Sequence, residues 1–158
     1  QAIHNILIGI LELLFYPHLI NPRKEREIHE GRKRIDITFD NAAKKRIFHI
    51  LSEVHHIPCP YLYIECKNYS RDIANPELDQ IAGRFSFQRG KVGFVVCRSI
   101  ENLNLFMNRC KDTYRDDRGL IIPLVDEDLI LLLQNYNESN QDFMEHFLSD
   151  RVRELIMG

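Results

Sequence analysis

Three residues carry the most chemical promise in this chain: Asp36, Glu65 and Lys67. The run Tyr61-Leu-Tyr-Ile-Glu65-Cys-Lys67 is dense in strand-forming residues and turns charged only at its end. Residues i and i+2 of a strand point to one face, so Glu65 and Lys67 emerge side by side and Cys66 faces away. Asp36 stands alone between Ile35 and Ile37, in a run from Arg34 to Phe39 that alternates polar and apolar. That period of two belongs to a strand with one apolar face. Carboxylates on two neighbouring strands suit Mg²⁺, a hard cation that takes oxygen ligands and keeps several waters. The backbone carbonyl of Cys66 would be a third protein ligand, and Mn²⁺ could substitute for Mg²⁺. A lysine beside the cation can orient or help deprotonate an attacking water and stabilise charge on phosphate. Hydrolysis of a phosphodiester needs these parts. The plainer alternative is a cross-strand ion pair with an extra carboxylate. Glu-x-Lys is common, and only its setting favours a site.

The elements that would position these residues can be read along the chain. Residues 2–16 predict a helix, apolar almost all round, that is buried or packs on a neighbour; Pro17 and Asn21-Pro22 end it. Residues 25–40 predict a β-hairpin turning at Gly31-Arg32, and 42–54 a helix inserted before the strand 61–66. Asn75-Pro76 predicts the cap and first turn of a helix reaching about Gln88. Val92 to Cys97 is a continuous apolar run, typical of a strand buried on both faces. A helix over 100–115 capped by Ser99, a strand over 120–124, a helix from Asp126 to about Tyr136 and a last helix over 139–156 complete the order. This alternation predicts an α/β domain with a mixed central sheet flanked by helices. Residues 137–141 are the best candidate linker, so 1–136 is expected to form the domain and 137–158 a helical extension packed on it.

With those residues in place, the chain resembles the PD-(D/E)xK nuclease superfamily, the restriction-endonuclease-like fold. The matching stretches are Gly31-Arg-Lys-Arg-Ile-Asp36-Ile, Tyr61-Leu-Tyr-Ile-Glu65-Cys-Lys67-Asn-Tyr and the helix Glu77-Leu-Asp-Gln80-Ile-Ala-Gly-Arg84. The resemblance spans roughly residues 2–125 and is nearest to Mrr-like restriction enzymes and Holliday-junction-resolvase-like nucleases of prokaryotic defence. It implies a metal-dependent DNA endonuclease in which Asp36 and Glu65 bind the cation and Lys67 is the catalytic lysine. Ile35 stands where the superfamily has proline. Many members add a glutamate from the first helix, a role that Glu12 would fill, with Glu30 a weaker rival. Glu12 is the only charged residue before Pro22, and a lone carboxylate in an apolar helix needs a partner, a shifted pKa or solvent. Gln80 occupies the place of an active-site glutamine found in some relatives; a surface or capping role is its alternative. Asn68, Tyr69 and Arg71 follow the motif as substrate-facing candidates.

Composition bounds these readings. A chain of 158 residues, 44% hydrophobic and 28% charged, is ordinary globular material for one domain. The formal charge of -2 excludes a charge-only nucleic-acid binder, yet it is unevenly spread. Up to Gly119 there are 19 basic and 15 acidic residues, and after it 2 and 8. Basic clusters at 23–26, 32–34 and 44–46 are either solvated faces or contacts to a DNA backbone. The four cysteines form no C-x-x-C pair, which with the lack of a signal-like segment suggests a reduced, cytoplasmic setting. The apolar stretch 6–16 is too short to span a membrane. His55-His56-x-x-Cys59 fits no common zinc spacing, and no Gly-rich phosphate loop is present. The expected partners are DNA and either a second copy or other domains of a longer defence protein. The competing reading is a catalytically silent nuclease-fold module for nucleic-acid binding or assembly.

Overall fold

The computed structural model describes the backbone of residues 2–29, 32–67 and 75–158, and the side chains of 5–24, 37–67 and 78–158. Among these residues five strands form one sheet in sequential order: β1 (Leu19–His29), β2 (Arg32–Asn41), β3 (Tyr61–Lys67), β4 (Val92–Cys97) and β5 (Leu120–Val125). The β1–β2 and β2–β3 pairs are antiparallel, and β3–β4 and β4–β5 are parallel. The α/β class with a mixed sheet is therefore observed. Among the described residues six helices flank it: α1 (Ala2–Phe15), α2 (Ile47–Glu53), α3 (Asn75–Ala82), α4 (Leu103–Arg115), α5 (Asp126–Gln134) and α6 (Asp142–Met157).

Parallel strands need crossover connections, and α3 and α4 supply them. Strand β4, between β3 and β5, is buried at every position, as its unbroken apolar run requires. On one sheet face Phe15 of α1 stacks on Phe94 of β4 at 5.4 Å, and Phe48 of α2 meets both rings edge-on. On the other face the ring of Phe85, in the connection after α3, packs against Tyr63. Gly93 and Gly119 make room for that ring: a Cβ at Gly119 would approach Phe85 Cδ2 to 2.4 Å, and its φ of 125° also favours glycine. Met144, Leu148, Val152 and Leu155 of α6 are buried in the same core as the sheet.

Several boundaries differ from the sequence reading, each for a local reason. Asn21-Pro22 does not stop the chain entering the sheet. It sits in a bulge of β1, between Ile20 and Arg23, with Asn21 at φ 55°. Proline is tolerated there because β1 is the edge strand. Helix α2 starts at Ile47 rather than 42, after Arg46 at φ 65°. Helix α3 ends at Ala82, short of Gln88, because Ser86 and Gly90 exchange backbone hydrogen bonds and close a tight turn. Helix α4 is capped by Asn102, whose Oδ1 accepts from Leu105 N, and not by Ser99. In α5 the first-turn Asp128 accepts from Val125 N, so Asp126 is helical and not the cap. Residues 137–141 are a folded turn in which Asn137 and Asn140 side chains accept backbone N–H groups. The hairpin turn and the Asn75-Pro76 side chains lie outside the described residues.

Candidate active site

Glu65 and Lys67 lie at the carboxyl end of β3, the end of a parallel sheet where ligands bind in open α/β folds. Alternation places both on the face shared with Tyr63 and opposite to Leu62 and Ile64. The Lys67 Nζ is 3.0 Å from Glu65 Oε1, and the two side chains are only 7% and 5% exposed. Both are held in further interactions. Burying two opposite charges costs several kcal/mol per ion in desolvation, which their attraction offsets only in good geometry. A pair kept in so dry a place is a more specific signal than Glu-x-Lys in the sequence.

The register brings the third residue to it. Asp36 pairs directly with Glu65 across the antiparallel ladder, so the two positions share a face of the sheet. That is also the last pair of the β2–β3 ladder. Beyond it β2 continues against β1 from Ile35 to Arg32, while β3 continues against β4 through Cys66 and Lys67. The sheet therefore divides at positions 36, 65 and 67. The side chain of Asp36 lies outside the described residues, as do those of Glu30, Asn68, Tyr69 and Arg71.

The auxiliary candidates are placed differently. Glu12 is exposed on α1. Helix α1 packs through Phe15 on Phe94, which pairs with Ile64, so it covers the sheet face opposite to Glu65. Gln80 is on the exposed side of α3, because Leu78, Ile81 and Ala82 turn inward. Glu12 is therefore not brought beside the Glu65–Lys67 pair, whereas Gln80 keeps an interaction of its own. Cys66 points to the opposite face, and burial, helped by the Glu65 carboxylate and then by Cys97, pushes its thiol up to about 12. Its side chain is thus a protonated, inert thiol, and only its carbonyl remains a metal-ligand candidate.

Other sequence candidates resolve into structure. Tyr63 packs on Phe85, whereas Tyr61 is 47% exposed. Cys59 is buried, with Asn41 donating to its carbonyl and to that of Phe48, while His55 and His56 are exposed. Among the described residues no three His, Cys, Asp or Glu side chains converge where they would hold a metal ion; the Asp36 carboxylate is not among those residues. No helix among them is long and apolar enough to cross a membrane.

A second buried polar cluster was not flagged by the sequence. Glu145 of α6, 5% exposed, accepts from Ile47 N at the start of α2 through Oε2. His18 lies 3.9 Å from its other oxygen and 3.0 Å from Gln141 Oε1. These partners are about a hundred residues apart, so no local pattern could announce them. Compared with protein-family models, curated proteins and solved structures, the chain matches none.

Proposed function

We propose that this chain is a metal-dependent nuclease of the PD-(D/E)xK type that hydrolyses phosphodiester bonds in DNA, as part of a prokaryotic defence or restriction protein. The observation that carries the reading is the buried Glu65–Lys67 pair, placed where the sheet divides and opposite position 36 in register. The donor chemistry fits the cation: two carboxylates and one carbonyl are hard oxygen donors, which Mg²⁺ prefers to nitrogen or sulfur. Asp36, Glu65 and the Cys66 carbonyl would hold it. When bound, the ion supplies an activated water and polarises the phosphate. The chain's own contribution is Lys67, whose ammonium would stabilise negative charge on the phosphate in a dry site where such contacts count most. The exposed Lys44 and Lys45, with the exposed Arg23 and Lys24, would bind the backbone of the strand.

Purified protein is incubated with plasmid, with and without Mg²⁺ or Mn²⁺, beside Asp36→Ala and Lys67→Ala, with circular dichroism confirming that each variant folds. Metal-dependent cleavage lost in both variants is expected. Cleavage unaffected by both rejects the site.

One observation favours the silent-module reading: the same pair is nearly closed to solvent, as a purely structural ion pair would be. Calorimetric titration with Mn²⁺ separates the two readings. Heat of binding that disappears in Asp36→Ala supports the metal site, and its absence in the parent protein supports the silent module.

A further inference from the structure

A groove of about 600 Å³ opens at the amino ends of β3, β4 and β5, the end of the sheet away from Glu65 and Lys67. Seven strand residues at ~3.3 Å each separate the two ends of β3 by roughly 20 Å. The volume lies in the range of small-molecule sites. Its walls combine two kinds of group. Phe87 and Tyr114 give aromatic surface, and Lys91, Arg115, His55 and His56 give cationic or hydrogen-bonding nitrogens; Asp117 is the one carboxylate among the described lining residues.

Two details set this groove apart from ordinary surface. Phe87 is 78% exposed at the tip of the tight turn closed by Ser86 and Gly90, the most exposed large apolar side chain of those described. That turn already closes through backbone hydrogen bonds, so the fold does not need the ring. Lys91 is half-buried, directly before β4, and none of the described residues forms an ion pair or hydrogen bond with its ammonium. Arg115 donates through Nη2 to the Gly158 carbonyl at 2.6 Å, which holds its guanidinium at the groove while leaving other N–H donors available.

We infer that this groove binds a nucleoside phosphate, with the base against Phe87 and the phosphate on Lys91 and Arg115. Aromatic faces accept any base by stacking, and an ammonium and a guanidinium form charge-assisted hydrogen bonds to phosphate oxygens. The two histidines sit where their ring N–H groups can add to the same anion. The ligand is either a free nucleotide or the terminal nucleotide of a strand. The inference needs no part of the nuclease reading.

Isothermal titration calorimetry on the full chain tests it with AMP, adenosine, inorganic phosphate and a short single-stranded oligonucleotide. AMP is expected to bind more tightly than adenosine or phosphate. Phe87→Ala and Lys91→Ala are each expected to weaken AMP about tenfold, the scale of one lost stack or one lost charged contact. Thermal melting of Phe87→Ala should match the parent, since the ring is exposed. Oligonucleotide that displaces AMP identifies a strand end as the source, and oligonucleotide that does not identifies the free nucleotide. Absence of AMP binding at about 1 mM, the weak end of specific affinity, overturns the inference. So does phosphate or adenosine binding as tightly as AMP, or an affinity unchanged in both variants.

Discussion

Glu65 and Lys67 stabilise one another only as a pair. Removing Lys67 leaves a buried carboxylate without its ammonium, and breaking a buried pair in this way typically costs about 3–5 kcal/mol. Lys67→Met is therefore expected to lower the urea midpoint markedly, and Glu65→Gln/Lys67→Met to recover much of the loss. A double variant as unstable as Lys67→Met would show that the pair is not the unit. The buried thiols make a second residue-scale statement. Burial, followed by Cys97, pushes Cys110 up to about 12, and Cys66 stands at about the same value. The folded state thus keeps protons that the unfolded chain, with thiols near 9, gives up first. Their contribution to stability is complete below pH 9 and is lost as pH rises towards 12. Urea midpoints at pH 7, 9 and 10.5 should fall in that order, and Cys110→Ala should flatten the fall. Glu65 and Lys67 were legible because charge interrupts an apolar strand run, and Asp36 because it stands between Ile35 and Ile37 in an alternating one. Their mutual register was not legible, since it depends on which residue of β2 faces which of β3.

At the scale of elements, α2 is short and depends on α6. Its Ile47 N–H is satisfied by Glu145 from inside the protein, while Arg46 and Asp142 form an ion pair on the outside. A buried hydrogen bond to a charged group carries more energy than an exposed pair. Glu145→Ala is expected to cost about 1–3 kcal/mol, and Asp142→Asn about 0.5 kcal/mol or less. Equal losses in chemical denaturation would refute this division. Helices α1 and α5 and strand β4 were legible from apolar pattern alone. The start of α2, the bulge at Asn21-Pro22 and the early end of α3 were not, because each is set by backbone geometry that several sequences satisfy equally well.

On the scale of the whole molecule, the acidic segment after Gly119 is not an appendage. Helix α6 buries Met144, Leu148, Val152 and Leu155 in the core that holds the sheet. Four such side chains contribute roughly 6–12 kcal/mol, comparable to the whole stability of a typical domain, about 5–15 kcal/mol. A chain ending at residue 136 is therefore expected to lose cooperative unfolding and sharp near-ultraviolet dichroism, and a cooperative melt would show otherwise. The near-neutral total charge also gains meaning. Arg151 of α6 bonds Asp128 of α5 and the Pro123 carbonyl, so one of the two basic residues after Gly119 is spent within that segment. The basic groups left for a polyanion lie elsewhere, and the proposed nuclease function predicts a DNA affinity that falls steeply with salt in filter-binding assays.

The sequence by itself determined the α/β class, the buried strand β4 and the charged end of β3. These follow from periodicity and local charge, which act over a few residues. Only the tertiary structure decided that Asp36 stands opposite Glu65, that Glu12 lies on a helix across the sheet, and that Glu145 supports α2. It alone gathered His55, Phe87, Lys91 and Arg115 round one groove. Those relations join residues far apart in the chain, and packing fixes them rather than propensity.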